Sequence, residues 1–311
     1  MNKAGDKVYQ EKTEQNHKGQ GRTKDVKAKV QSVGKESRRI AILGGGNIGS
    51  SVARGLVSSG RYTYDDIIIT RRNVESGSDL IREGFSLQGD NKDAVRRSII
   101  VILAVRPLQL PALLEDIREE VNSSRHILIS LVTGVELAEI RAILGKDVPL
   151  VRAMPNTAIA VRESMTCLSI DRSGRESLLA LSKAKSLFEL VGKTAIIEER
   201  LMVPATALCA CGIAFFLRAI RAASQGGIEI GFHSDEALLM SAQTAKGAAC
   251  LLLSSETPPH PESGIDKVTT PRGCTIAGLN TMEYEGFSSA MIKGIVVSSE
   301  KAATLYATER R

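Results

Sequence analysis

Beginning at Arg39, short apolar runs rich in Ile, Val and Leu alternate with stretches whose apolar positions recur every three to four residues. The first pattern suits strands buried on both faces and the second suits amphipathic helices; their alternation is what a parallel sheet with crossover helices requires. Strands are predicted over 39–43, 66–70, 98–104, 126–131, 150–154, 165–170 and 194–197, and helices over 47–59, 108–120, 136–144 and 175–190. After Arg200 the alternation stops, and 201–223, 234–255, 275–285 and 287–306 read as consecutive helices separated by Gly- and Pro-containing turns. The pattern divides the chain into an α/β unit over 39–200 and an all-helical unit over 201–311. Residues 1–38 have neither periodicity and too little apolar surface to offset chain entropy, so a disordered basic tail is expected there.

Charge sharpens this division. The chain has 311 residues and a net charge of +6, and its first 40 residues hold 11 Lys+Arg against 5 Asp+Glu, so the tail accounts for the whole excess. The remainder is neutral and poor in aromatics, which argues against a nucleic-acid partner. The tail carries Asp6, Glu11, Glu14, Asp25 and Glu36, unlike an acid-poor targeting segment, and it has no apolar signal core, so a cytoplasmic location is expected. Residues 201–217 contain no charge but fall short of a membrane span and include Pro204; a helix buried between subunits is expected, with no membrane partner. Cys167, Cys209, Cys211, Cys250 and Cys274 lack zinc spacing, so no metal is expected and the thiols read as reduced core residues.

The candidate chemistry begins where the first strand runs into Gly44-Gly45-Gly46-Asn47-Ile48-Gly49, a G-x-G-x-x-G string that opens a helix. Such a turn may simply reverse the chain, but between a strand and a helix it is the arrangement that cradles a dinucleotide pyrophosphate. The expected fold is therefore a Rossmann-type doubly wound, mostly parallel sheet followed by an all-helical C-terminal domain. About twenty residues on, where an acid would mark NAD, the second strand ends in Arg71-Arg72, which favours the 2′-phosphate of NADPH, with NADH as the lesser alternative. Two exposed loop arginines are the simpler alternative.

Three further strings, Leu103-Ala104-Val105-Arg106-Pro107, Val151-Arg152-Ala153-Met154-Pro155-Asn156-Thr157 and Val268-Thr269-Thr270-Pro271-Arg272-Gly273-Cys274-Thr275-Ile276-Ala277-Gly278-Leu279, resemble the pyrroline-5-carboxylate reductase family from Arg39 to the end. The resemblance implies NADPH-dependent reduction of 1-pyrroline-5-carboxylate to L-proline, by hydride transfer to a C=N bond. It implies cofactor contacts at Leu43, Gly44, Gly45, Gly46, Asn47, Ile48, Gly49, Arg71, Arg72, Asn91, Ala104, Val105, Arg106, Pro107, Leu131, Val132 and Thr133. Thr270, Gly273, Cys274 and Thr275 fall on substrate-binding positions, with Thr275 as the catalytic residue; a plain helix N-cap is the competing reading of Thr275. A homo-oligomer, at least a dimer joined through the C-terminal helices, is implied as well.

The sequence departs from the family pattern at several points. Cys209-Ala210-Cys211-Gly212-Ile213-Ala214-Phe215 stands where the family reads S-G-S-G-P-A-Y, Arg272 replaces a glycine, Pro258 an acid and Lys267 a frequent Asn. Two other functions fit the same fold: a nucleotide sensor or scaffold that has lost turnover, and a hydroxy-acid reductase. The latter needs a Lys on the first long C-terminal helix, and 201–217 has none.

Overall fold

The computed structural model describes residues 39–255 and 259–308; the expected tail over 1–38 and the departure at Pro258 lie outside the described residues. Eight strands form one sheet: β1 (Ile40–Leu43), β2 (Ile67–Thr70), β3 (Ser86–Gln88), β4 (Ile100–Leu103), β5 (Ile127–Ser130), β6 (Leu150–Met154), β7 (Ser164–Ser169) and β8 (Gly192–Ile196). Their spatial order is β3-β2-β1-β4-β5-β6-β7-β8. All pairs are parallel except β6 with β7. The first six strands thus have the doubly wound order, whose switch point lies between β1 and β4.

Both faces of the central strands are dry. Ile40 and Ile42, with Ile67, Ile69, Ile102 and Ile129, pack on one side, while Ala41 and Leu43, with Ile68, Val101, Leu103 and Leu128, pack on the other. Successive side chains point to opposite faces, so a strand covered on both sides must be apolar at every position, which is why these runs are continuous rather than alternating. The covering helices are α1 (Asn47–Ser58), α2 (Ser78–Glu83), α3 (Asn91–Arg96), α4 (Leu110–Ile117), α5 (Leu137–Leu144) and α6 (Arg175–Phe188). Strand β3 and helices α2 and α3 were not among the predicted elements: at three and six residues they are too short to show a period.

Beyond the sheet, α7 (Met202–Ala205) passes through a π-helical turn at Thr206–Cys211 into α8 (Gly212–Glu229). Then follow α9 (Ser234–Leu253), α10 (Pro261–Lys267), α11 (Cys274–Tyr284) and α12 (Phe287–Thr308). This half buries little of itself. Phe216, Leu239, Leu251 and Ile292 are each more than 60% exposed, whereas Met202, Ala207, Ala237 and Ala302 are among its few buried apolar residues. The halves are tied by Asn156 Nδ2, which donates to Cys209 O at 3.1 Å, and by the Thr206 hydroxyl against Met154 Sδ at 2.8 Å. Just before the junction, Glu199 Oε1 accepts from Leu137 N–H at 2.8 Å and pairs with the buried Arg152 at 3.3 Å.

His126, buried just before β5, accepts the Asn122 N–H at Nδ1 (2.9 Å). Burial, reinforced by Arg125, lowers its affinity for a proton below the ordinary value of 6.5. The unfolded chain therefore binds the extra proton first, and His126 contributes stability above about pH 6.5 that is lost as the pH falls below it. Urea midpoints measured from pH 7.5 to 5 are expected to fall less steeply in His126→Asn, whose oxygen can replace Nδ1 as acceptor without titrating.

Candidate functional site

The carboxyl ends of β1, β2 and β4 open into a cleft of about 760 Å³, lined by Gly44, Gly45, Gly46, Arg71, Arg72, Asn91, Ala104, Val105 and Arg106 among others. The sheet register explains this convergence, because Leu43 lies opposite both Thr70 and Leu103, so the residues following all three strands emerge at one level. Gly44 and Gly45 donate their N–H groups to Thr70 O (3.1 and 2.8 Å), and Ala104 N–H donates to Leu43 O (2.8 Å). Gly44 has φ +120°, and a Cβ there would collide with the Ala104 carbonyl. Gly46 differs: it is exposed, and a Cβ on it would meet no protein atom within 4 Å. Gly46 is also the N-cap of α1, and no side chain caps that helix. The helix thus begins at the edge of the cleft, at Gly46, with its first-turn N–H groups uncapped by any side chain and the positive end of its dipole there, an arrangement that fits the pyrophosphate of a dinucleotide.

The two arginines are not equivalent. Arg71 donates through Nη1 to Gly45 O at 3.2 Å and braces the turn. Arg72 is exposed at the cleft and has no hydrogen bond or ion pair with any described residue. Asn91 is held from two sides: its Oδ1 accepts from the Thr70 hydroxyl (2.7 Å) and its Nδ2 donates to Asp116 (3.1 Å).

Other expected residues sit elsewhere. Leu43 is fully buried, so only its backbone is available, and Asn47, Ile48, Gly49 and Pro107 flank the cleft without lining it. Leu131 and Val132 are buried in opposite face cores, while Thr133 is half-buried; Leu131 N–H bonds Leu103 O at 2.9 Å, which sets this segment beside Ala104. The cleft also takes in Asn73, Ser76, Gln109 and Asp116, which sequence reasoning did not single out. Asn73 and Ser76 could have been suspected as the polar loop after Arg72, but nothing along the chain links Asp116 to Asn91.

None of Thr270, Gly273, Cys274 and Thr275 lines this cleft. Thr270 and Gly273 lie in the loop before α11 and Cys274 and Thr275 in its first turn; Gly273 is the N-cap and no side chain caps the helix. Thr275 is therefore inside the first turn, which removes the N-cap reading of it. A Cβ at Gly273 would collide with the Thr270 hydroxyl, so the loop closes tightly on a glycine. Arg272, in place of the family's glycine, is exposed at φ +60°, a left-handed conformation that glycine adopts at lower cost. Asn156 is committed to structure: it caps the short turn after β6 through Ala158 N–H (3.1 Å) and donates to Cys209 O (3.1 Å).

Comparison with known proteins matches residues 199–305 to the family model described as pyrroline-5-carboxylate reductase dimerisation. Residues 39–134 match the model described as NADP oxidoreductase coenzyme F420-dependent. Pyrroline-5-carboxylate reductase 1 of Dictyostelium discoideum is 53% identical over 88% of this chain, which spans 50% of that relative's length. Pyrroline-5-carboxylate reductase 2 of the same organism is 50% identical over 86% of this chain and 93% of its own. A solved pyrroline-5-carboxylate reductase from Coxiella burnetii superposes with a TM-score of 0.77 at 26% identity, covering 86% of this chain and 98% of that one.

Proposed function

Because this chain belongs to the pyrroline-5-carboxylate reductase family, we infer that it reduces 1-pyrroline-5-carboxylate to L-proline with NADPH. The single observation that carries the cofactor half of this reading is the uncapped start of α1, with open space at Gly46 and the unpaired Arg72 beside it. NADPH, when bound, supplies the hydride. In this reading the first turn of α1 holds the pyrophosphate, Arg72 holds the 2′-phosphate, and Arg71 keeps the glycine turn in shape. The segments 104–107 and 131–133 border the nicotinamide end.

The substrate half rests on the loop before α11. Its uncapped N–H groups suit a carboxylate, and the Thr275 hydroxyl suits the ring nitrogen, where it orients the imine and takes part in placing the proton. An imine arrives readily protonated, so holding it in place contributes more than a strong acid would. With intact protein, NADPH oxidation is expected on adding pyrroline-5-carboxylate, and Thr275→Ala is expected to lower kcat/KM about tenfold, the worth of one hydrogen bond in a closed site. NADPH binding without turnover by the intact protein would instead make it a sensor of the same fold.

The apolar faces of α8, α9 and α12 lie within the dimerisation match, and a second copy of the chain is the partner that covers them. Residues Glu199–Glu229 are long and apolar enough to cross a membrane by length and composition, but they are the core of this dimer-forming unit of a soluble enzyme. The substrate loop, which stands apart from the cleft within one chain, is completed in that dimer, and the cytoplasm is the proposed compartment. Light scattering is expected to give at least twice the mass of one chain at micromolar concentration; a monomer would remove this part of the reading.

A further inference from the structure

We propose that Cys167 and Cys209 are an oxidative modification site, a dithiol that a hydroperoxide converts reversibly into a disulfide joining β7 to the π-helical turn. Their sulfur atoms lie 4.0 Å apart, although 42 residues separate them in the chain. Among the described cysteines, Cys250 and Cys274 are exposed and have no thiol at comparable distance.

The pair is held in place from both sides. Cys167 is buried in β7, and Cys209 is half-buried in the Thr206–Cys211 turn. That turn is pinned to β6 and the loop after it, by Asn156 Nδ2 on Cys209 O (3.1 Å) and by the Thr206 hydroxyl against Met154 Sδ (2.8 Å). Closing to a disulfide bond length needs about 2 Å of approach, a shift within reach of a turn whose hydrogen bonds are already widened to the i→i+5 pattern.

The two thiols are also electronically unequal. Either sulfur can donate at this distance, but the contact with Cys167 brings the Cys209 thiol down to about 7, whereas the same contact, with burial, pushes Cys167 up, so the proton sits on Cys167. Cys209 is therefore the thiol that ionises first, and Cys167 keeps its proton. The Cys209 sulfur attacks the terminal oxygen of the hydroperoxide, forming an S–O bond as the O–O bond breaks; the leaving alkoxide, or hydroxide from hydrogen peroxide, takes a proton from solvent. Cys167 then attacks the Cys209 sulfur, the S–S bond forms and the S–O bond breaks, and the Cys167 proton leaves with the second oxygen as water. Two thiols are oxidised and one peroxide is reduced, with two waters released when the oxidant is hydrogen peroxide.

The test is hydrogen peroxide added to the full-length protein, followed by non-reducing peptide mapping by mass spectrometry. A Cys167–Cys209 cross-linked peptide is expected, lighter than its two parts by about 2 Da and lost on adding dithiothreitol. Cys209→Ser should abolish the cross-link, and Cys250→Ser should leave it unchanged. Cys209 found as sulfinic acid with Cys167 free would overturn the proposal, as would Cys209 cross-linked to any other cysteine or both thiols unmodified. The mapping of the wild-type chain decides the matter even if a variant folds poorly.

Discussion

Gly46→Ala is expected to fold and melt like the wild type yet bind NADPH about 100-fold more weakly, a loss of about 2.7 kcal/mol. The backbone at Gly46 has φ −80° and ψ −170°, ordinary for any residue, and no protein atom stands within 4 Å of where the methyl would go. The methyl therefore costs the protein alone almost nothing and falls where the pyrophosphate must approach the backbone. Gly44→Ala should behave in the opposite way. At φ +120°, with the Ala104 carbonyl in the path of a Cβ, it strains the turn itself and should cost about 3 kcal/mol of stability as well as cofactor binding. Thermal melts and NADPH fluorescence titrations on both variants separate the two effects. If Gly46→Ala lowered the melting temperature and left NADPH affinity unchanged, the turn would be structural only.

The second large effect concerns cofactor choice. Arg72→Ala should raise KM for NADPH about 30-fold, equivalent to about 2 kcal/mol for a charge-assisted contact, and change KM for NADH less than about twofold. Arg71→Ala should weaken both cofactors, because its guanidinium braces Gly45 O, a contact that serves either dinucleotide. The steady-state ratio of the two KM values is the measurement. Equal losses for NADPH and NADH in Arg72→Ala would show that Arg72 does not read the 2′-phosphate.

The parts of the molecule legible from sequence are those under steric or solvation constraint at every residue. Ile40–Leu43 and the three isoleucines that open Ile67–Thr70 are apolar because both of their faces are covered, and Gly44 answers to the Ala104 carbonyl, which leaves no room for a Cβ. Strand Ser86–Gln88 and helix Pro261–Lys267 impose no such pattern and escaped notice. The π-helical turn was hidden for a different reason. In a segment apolar on all sides, a shift from i+4 to i+5 bonding leaves the hydrophobic period unchanged. Contacts made only by folding, Asp116 on Asn91 and Cys167 against Cys209, have no signature along the chain at all.

The thin interior of the helical half has a consequence for how much enzyme a cell must hold. In the proposed dimer, Leu239, Leu251 and Ile292, exposed in a single chain, gain shelter from water only when a second chain arrives, so the half that carries the proposed substrate loop would obey mass action rather than an intrinsic folding equilibrium. Below the dissociation constant of the pair, each added chain would raise output more than proportionally, because it supplies a site and also completes one for another copy. Abundance, in such an enzyme, acts as an activator.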